Sequence, residues 1–458
     1  MKIVSTNPGR NYEVIGEVEA ASESDITKAV DKARSVQPSW AASSLEERGD
    51  KIRSFFKICG GRVDEIAEIM SKEMGKPIEA AREQVTSTFD EFEDYMKQVG
   101  QALTPEVVFE NDSEKHIQTF EPRGVIAAIA PWNFPFNNLS FQVGQALIAG
   151  NTVLYKPSEE TVLFAQLMAK LVGESELPEG VLTLIIGDGK VGEMLVRQDV
   201  DMILFTGSTA TGQRITEIAA ERSIPVLTEM GGSAPGIVSE DADVPKIIHT
   251  LASNRFDNTG QYCDGLKRAI VHVSKYDEVL KGLKEYALKT KVGDQLEEDT
   301  KIGPLVAKRQ LDKLEEQVAD ALEKGAKVLV GGKQPESLEG AYYEVTVLTN
   351  ISPDMRVWKE EVFGPVLPVV TFETEEEAVR LANDTEYGLG GYVFTESIER
   401  FRRVAKQIQA GDIAHNNATY FSPKTPFGGY KKSGNGRSQG LAGFHEVTQI
   451  KVIAEEKG

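Results

Sequence analysis

Two cysteines occur in the chain, and one of them, Cys263, lies in the polar turn Asn258-Thr-Gly-Gln-Tyr-Cys263-Asp264. A thiol among polar and glycine residues is reachable by a small molecule, whereas a buried cysteine behaves as a small hydrophobe. As a nucleophile it would need a stabilised thiolate and space for a substrate. Taken alone, the turn fits a nucleophile or a plain turn residue. A carboxylate, Glu229, stands upstream in Leu-Thr-Glu-Met-Gly-Gly. Asn133 sits in Ala130-Pro-Trp-Asn-Phe-Pro, between an indole and two prolines. Its side-chain N–H suits an oxyanion, and equally a turn amide bonded to its own backbone.

Two more segments carry polar residues suited to a nucleotide. Lys156-Pro-Ser-Glu159 follows an apolar run, and a carboxylate such as Glu159 accepts hydrogen bonds from two ribose hydroxyls. A surface ion pair is the alternative. Phe205-Thr-Gly207-Ser208-Thr reads as a strand–glycine–helix transition with Ser208 at the N-cap. A helix N-terminus there binds phosphate through free N–H groups and the helix dipole. The full Gly-x-Gly-x-x-Gly pattern is missing, so an ordinary cap fits as well.

These side chains need a frame, and the sequence texture supplies one. Apolar strand-like runs at 125–130, 152–155, 181–186, 202–205 and 225–227 alternate with helical patterns at 138–149, 161–173, 190–198 and 210–220. Such alternation implies right-handed crossovers and a parallel sheet, with ligands outside the carboxyl ends of its strands. It resumes after Gly231-Gly232, the expected hinge, with strands at 269–273, 327–330, 368–372, 392–395 and 412–414. Ahead of the first block, a polar segment around Asn7 leads into helical patterns at 23–34, 45–60, 62–74 and 78–101, with cap-like serines before two of them. Extended pieces at 113–123 and 449–454 can pair with each other and leave an edge for another subunit.

Composition narrows the function. At 458 residues the chain suits two or three domains. A net charge of −20 argues against nucleic acid or an anionic membrane surface as partner. The longest apolar run, 125–130, falls far short of the ~20 residues of a membrane span, and the first residues lack the apolar core of a signal peptide. Two cysteines imply a reducing compartment and a cytoplasmic location. Five histidines scattered along the chain imply no metal site.

In order along the chain run Pro-Trp-Asn-Phe-Pro (131–135), Lys-Pro-Ser-Glu (156–159), Phe-Thr-Gly-Ser-Thr (205–209) and Glu-Met-Gly-Gly (229–232). Gly-Gln-Tyr-Cys (260–263), Glu-Glu-Val-Phe-Gly-Pro (360–365) and Pro-Phe-Gly-Gly-Tyr-Lys-Lys-Ser-Gly (426–434) follow. With these seven motifs the chain resembles the aldehyde dehydrogenase superfamily over essentially its whole length. The resemblance implies an α/β protein with a Rossmann-like dinucleotide-binding domain (1–103 and 124–230) and a second α/β catalytic domain (231–432). A small β oligomerisation element (104–123 and 433–458) would make a homodimer or homotetramer.

The resemblance also assigns roles. Cys263 would attack the aldehyde carbon, the Asn133 amide and the Cys263 backbone N–H would hold the oxyanion, and Glu229 would act as general base in hydrolysing the thioester. NAD is the implied cofactor, with NADP less favoured. Lys156 and Glu159 would hold the adenosine ribose, Gly207 and Ser208 the pyrophosphate, and Glu361 the nicotinamide ribose. Phe363 would lie beside the ring, and Trp132 along the approach to the cysteine. Phe427 belongs to the substrate tunnel. Relatives that oxidise succinate semialdehyde can carry arginines where this chain has Asp257 and Phe141, and an aspartate facing the tunnel would repel a carboxylate. Yet the turn followed by Lys267-Arg268 is similar to a bacterial subgroup related to semialdehyde oxidation. The alternatives are a CoA-acylating enzyme, a type that generally lacks the glutamate, and a catalytically silent structural relative.

Overall fold

The computed structural model describes residues 1–457; Gly458, the last residue of the 433–458 segment, lies outside them. Two α/β layers are built on separate sheets. The first runs in the order Gly434–Asn435, Val226–Glu229, Met202–Thr206, Val125–Ile129, Thr152–Lys156, Leu182–Leu184, and only Gly434–Asn435 is antiparallel to its neighbour. Val125–Ile129 and Thr152–Lys156 are buried along their whole length, as expected for parallel strands covered on both faces. Register decides what stands at the carboxyl edge. Ile129 pairs with Lys156 and with Phe205, and Thr206 pairs with Glu229, so the chain segments leaving these strands emerge side by side.

The second sheet has seven strands in the order Lys327–Val330, Thr346–Thr349, Val366–Phe372, Leu266–His272, Ala234–Val238, Gly390–Phe394, Asp412–His415. A third, of three antiparallel strands, joins Thr448–Glu456 to Glu114–Pro122 and that strand to Glu106–Glu110. The two extended segments noted in the sequence therefore do pair. No helix among the described residues is long and apolar enough to cross a membrane.

Several elements depart from the sequence expectation. The first helix runs Glu23–Ala42, past residue 34 and through Pro38. Trp40, 3 % exposed, holds that extension by donating its indole N–H to Leu147 O at 3.0 Å, and this tertiary contact outweighs the local cost of an internal proline. Around Asn7, where the sequence shows only a polar segment, residues 2–19 form the hairpin Lys2–Asn7 and Glu13–Glu19. Ala234–Val238 (Ala-Pro-Gly-Ile-Val) is a fully buried central strand that β-propensity alone does not suggest.

Candidate active site

Cys263 follows a short turn, Asp257–Gly260, and precedes the central strand Leu266–His272. The turn is strained. Asn258 (φ 50°), Thr259 (φ 58°) and Gly260 (φ 71°) take left-handed conformations in succession, each costing a non-glycine residue about 1–2 kcal/mol. Packing enforces it. Thr259 Oγ1 donates to Gly303 O at 3.0 Å, Gln261 Oε1 accepts from Val306 N at 3.0 Å, and Gln261 Nε2 donates to Asn258 O at 3.2 Å. A Cβ on Gly260 would lie 2.3 Å from Gly364 O, so only glycine fits there.

Asn133 lies in the loop between strand Val125–Ile129 and helix Pro135–Ile148. Its Nδ2 donates to Gln261 O at 3.0 Å, and its backbone carbonyl accepts from Asn258 Nδ2 at 3.1 Å. The amide is thus locked across to the cysteine loop, not onto its own turn. An amide nitrogen carries two hydrogens, so one remains free. Among the described residues the Cys263 backbone N–H makes no hydrogen bond either.

Glu229 ends strand Val226–Glu229 and is 2 % exposed. Neither carboxylate oxygen has a hydrogen-bond partner. Burial lifts its pKa well above the ordinary carboxylate range. Arg437 opposes that rise, and Asp412 and Asp264 reinforce it. The Cys263 thiol is likewise pushed well up by burial, helped by Asp264 and opposed by Lys267. Its Sγ faces Asp264 Oδ1 at 3.7 Å. At rest the site therefore holds a protonated thiol.

Trp132, Asn133, Gly207, Ser208, Glu229 and Cys263 line one cavity of about 1300 Å³. Asp257, Glu361, Phe363 and Phe427 line it as well. Trp132 and Phe363 meet edge-on at 5.6 Å. Phe427, 5 % exposed, packs with Phe141 and Leu389 beside Cys263 and Tyr420. Asp257 lines the cavity with its side chain exposed, and the protein packed around it desolvates its carboxyl enough to push it up to about 6. Lys156 and Glu159 are not part of this lining. They sit where strand Thr152–Lys156 ends, with Lys156 Nζ 3.8 Å from Glu159 Oε2. Lys156 is 3 % exposed, so the pair is not a surface one. Ser208 caps helix Thr209–Ala220 by accepting from Thr211 N at 3.3 Å.

The sequence of this cavity has known counterparts. A family model described as the aldehyde dehydrogenase family matches residues 1–453. The chain belongs to the aldehyde dehydrogenase family. An aminoaldehyde dehydrogenase of Pisum sativum is 36 % identical, over 99 % of this chain and 92 % of its own length. A betaine aldehyde dehydrogenase of Bacillus subtilis (strain 168) is 37 % identical (97 % and 92 %), and a mitochondrial succinate-semialdehyde dehydrogenase of Arabidopsis thaliana 34 % (99 % and 86 %). The crystal structure of an NAD-dependent aldehyde dehydrogenase from Sinorhizobium meliloti superposes with a TM-score of 0.95 at 36 % identity, over 100 % of this chain and 92 % of the other. That of an E. coli NADP dependent enzyme superposes at 0.96 and 33 % (100 % and 95 %).

This aldehyde dehydrogenase contains further groups at the site that residue type alone did not single out. Arg437 and Asp412 flank Glu229 electrostatically. Glu91, from helix Ile78–Leu103, reaches the cavity wall and accepts from Asn137 Nδ2 at 3.4 Å. The acidic run around it in sequence reads as a solvated face, yet burial pushes the Glu91 carboxyl up to about 7. An i, i+3 count of apolar neighbours (Phe92, Tyr95, Val99) would have placed Glu91 beside the buried stripe.

The dinucleotide fits the residues present. Lys156 carries three N–H donors but spends one hydrogen bond, to Pro157 O at 3.0 Å. Glu361 accepts through Oε1 from Gly232 N (3.1 Å) and Lys267 Nζ (2.5 Å), and its Oε2 takes no hydrogen bond among the described residues. Two carboxylates with a spare oxygen and a helix N-terminus offer the kinds of group that two riboses and a pyrophosphate require.

Proposed function

We propose that Cys263, Glu229 and Asn133 form the catalytic centre of an NAD(P)-dependent oxidation of an aldehyde to a carboxylate. The observation carrying this reading is their convergence on one cavity, with an N–H of Asn133, the Cys263 N–H and both Glu229 oxygens uncommitted. Cys263 gives up its proton to solvent in the cavity, and its sulfur bonds to the aldehyde carbon as the carbonyl π pair moves onto oxygen. The resulting alkoxide is held by Asn133 Nδ2 and the Cys263 backbone N–H. Lys156, Glu159, Gly207, Ser208, Glu361 and Phe363 would hold the cofactor, which would supply the two-electron acceptor for the hydride that leaves the former aldehyde carbon as the alkoxide collapses to a thioester. Glu229 takes a proton from water, the hydroxide adds to the thioester carbon, and the carboxylate leaves as the Cys263 sulfur is released. The presence of Glu229 favours this reading over acyl transfer to CoA.

The test separates the two steps. Cys263→Ala abolishes NAD reduction while NAD binding stays within about threefold. Glu229→Gln keeps a single-turnover burst of NADH and loses steady-state turnover. Activity surviving in Cys263→Ala, or lost instead in Cys59→Ala, overturns the assignment. Cys59 is fully buried in a helix, its thiol pushed up to about 12 by burial. Equal loss of burst and turnover would give Glu229 an earlier role.

For the substrate, a semialdehyde such as succinate semialdehyde has the support of the Arabidopsis relative. A specific observation favours an uncharged or cationic aldehyde. Asp257 and Glu91 line the cavity without a salt bridge among the described residues. Lys301 acts on Asp257 only through space, and Arg82 is paired with Asp64 and Glu298. The one deeply buried lysine of the lining, Lys76, is committed to Gln84 Oε1 at 2.7 Å and lies over the Phe134 ring at 3.7 Å. The aminoaldehyde and betaine aldehyde relatives agree with that charge.

The domain division also remains our reading: 1–103 with 124–230 for the dinucleotide, 231–432 for catalysis, and 104–123 with the end of the chain for self-association. Val107, Val108, Ile450 and Val452, each more than half exposed on the three-stranded sheet, support a homodimer or homotetramer built there. A chain that sediments as a monomer would refute it. A cytoplasmic location is consistent with two free thiols, and cell fractionation tests it.

A further inference from the structure

Lys267 opens the central strand Leu266–His272 and has a side chain only 1 % exposed. Its ammonium meets three acceptors, one for each N–H. Nζ donates to Gly232 O at 2.8 Å, to Cys263 O at 2.9 Å and to Glu361 Oε1 at 2.5 Å. Gly232 follows Glu229 in the loop between the two sheets, Cys263 O belongs to the cysteine loop, and Glu361 lies in the loop ahead of strand Val366–Phe372. One cation thus ties together the three loops that meet in the cavity. Gly231 and Gly232 leave it no slack. A Cβ at Gly232 would sit 2.4 Å from Cys263 O, and one at Gly231 would sit 2.4 Å from Glu361 Oε2.

We propose that Lys267 is a positioning residue that couples the nucleophile to the cofactor carboxylate, pinning one oxygen of Glu361 while presenting the other, and placing a positive charge toward the Cys263 thiolate. This rests on the reading of Cys263 as nucleophile and Glu361 as a ribose ligand. With Oε1 held by Lys267 and the Gly232 N–H, Glu361 cannot rotate, and Oε2 is left for a hydroxyl donor. The charge matters because the other ionisable groups around Cys263 are acidic: Asp264 on its own loop, Glu229 from the first sheet, and Glu361. Burial keeps the phenols of Tyr262 and Tyr392 neutral. Arg255, from helix Val244–Phe256, faces Lys267 and gives only Nη2 to Val362 O and Gly364 O, while its Nε and Nη1 have no partner among the described residues. Lys267 is therefore the cation that opposes the pull of three carboxyls on the thiol.

The test uses Lys267→Met, close in length and uncharged, and reads two quantities that do not depend on turnover. The first is the pH dependence of Cys263 alkylation by iodoacetamide in the cofactor-free enzyme, followed by peptide mass. The second is the NAD dissociation constant from intrinsic fluorescence. The expected result is an alkylation midpoint at least one pH unit higher, meaning tenfold slower labelling at a fixed pH below it, together with NAD binding weakened at least tenfold. Lys267→Arg restores the charge but not three convergent bonds, because a planar guanidinium cannot replace the compact ammonium; it recovers most of the alkylation shift and little of the NAD affinity. If Lys267→Met does not fold, Lys267→Met/Glu361→Gln removes both buried charges and leaves no unpaired ion. That variant still shows the alkylation shift, and its NAD affinity equals that of Glu361→Gln alone. Alkylation and NAD binding both within twofold of wild type in a folded variant overturn the proposal. Failure of Cys263→Ala to abolish activity would instead overturn the nucleophile reading, independently of these two measurements.

Discussion

Cofactor choice follows from one carboxylate. Glu159 presents its oxygens beside Lys156, at 3.8 Å from the ammonium, where on the proposed reading they would accept hydrogen bonds from the 2′- and 3′-hydroxyls of an adenosine ribose. A 2′-phosphate brings roughly two negative charges at neutral pH to the same place. At ~4 Å and an effective dielectric of 20, each unit pair with Glu159 costs about 4 kcal/mol before relaxation and screening. Three effects reduce that figure. Lys156 attracts the phosphate from nearly the same position, Glu159 is only half-buried and free to swing outward, and salt, with a Debye length of about 8 Å at physiological strength, screens part of an interaction at this shorter separation. A residue of ~1.4 kcal/mol is enough for tenfold discrimination. We therefore expect NAD to exceed NADP by at least tenfold in kcat/KM.

Glu159→Ser removes the repulsion and keeps a hydroxyl for hydrogen bonding, with Lys156 then free to meet the phosphate. The ratio should narrow chiefly through better use of NADP. Initial rates with each cofactor at saturating aldehyde, at low and at physiological salt, provide the assay. Adding salt should favour NADP in the wild type, because it screens the repulsion, and should have a smaller effect on the ratio in Glu159→Ser. A wild-type enzyme that prefers NADP, or a ratio unchanged by the substitution, refutes this reading of the ribose pocket.

Two further outcomes test the electrostatics of the site. Because Glu229 must be ionised to accept a proton and its pKa is raised, steady-state kcat should climb with pH through a pKa above the ordinary carboxylate value of about 4.3. Asp412→Asn removes a charge that raises Glu229 and should move that limb to lower pH, whereas Arg437→Gln removes a charge that lowers it and should move it higher, each by about half a unit or more; shifts in one common direction would exclude Glu229 as the titrating group. In a screen of aldehydes at pH 8, uncharged or amino aldehydes should exceed succinate semialdehyde at least tenfold in kcat/KM. The gap should shrink toward pH 6 as Asp257 and Glu91 take up protons, and Glu91→Gln should shrink it at pH 8; a wild-type preference for succinate semialdehyde would overturn the charge argument.

The catalytic candidates were legible because each sits in or directly beside a short loop whose own residues advertise it. Cys263 and Asn133 are polar groups in glycine- or proline-bounded turns, and Glu229 ends a strand just before Gly231-Gly232. Parallel strands such as Val125–Ile129 were equally visible, since burial on both faces leaves an unbroken apolar run. The central strand Ala234–Val238 was not. It contains a proline and a glycine, and Gly236 is there because Leu266 packs against it: a Cβ would lie 2.3 Å from Leu266 Cδ1. That requirement comes from a neighbouring strand, so it leaves no local signal.

Lys267 shows the same limit at the site itself. In sequence it is one lysine beside an arginine at the start of an apolar strand, where the pair marks a similarity to a bacterial subgroup but says nothing of what the ammonium holds. Its acceptors come from positions 35, 4 and 94 residues away. Only the meeting of the two sheets brings Gly232, Cys263 and Glu361 within reach of one ammonium. Pattern reading finds residues whose chemistry is declared by their immediate neighbours. It misses a residue whose role is to hold distant loops in register, because that role exists only in the folded contact set. Lys156 is an instructive middle case. The family resemblance marked it as a ribose ligand, but the sequence also allowed a surface ion pair; the lysine is only 3 % exposed, which argues against a fully exposed pair. A buried ammonium with a single carbonyl partner and one loose carboxylate is costly unless something else completes its hydrogen bonds. That deficit, rather than the motif, is the physical argument that a polar ligand belongs beside Lys156.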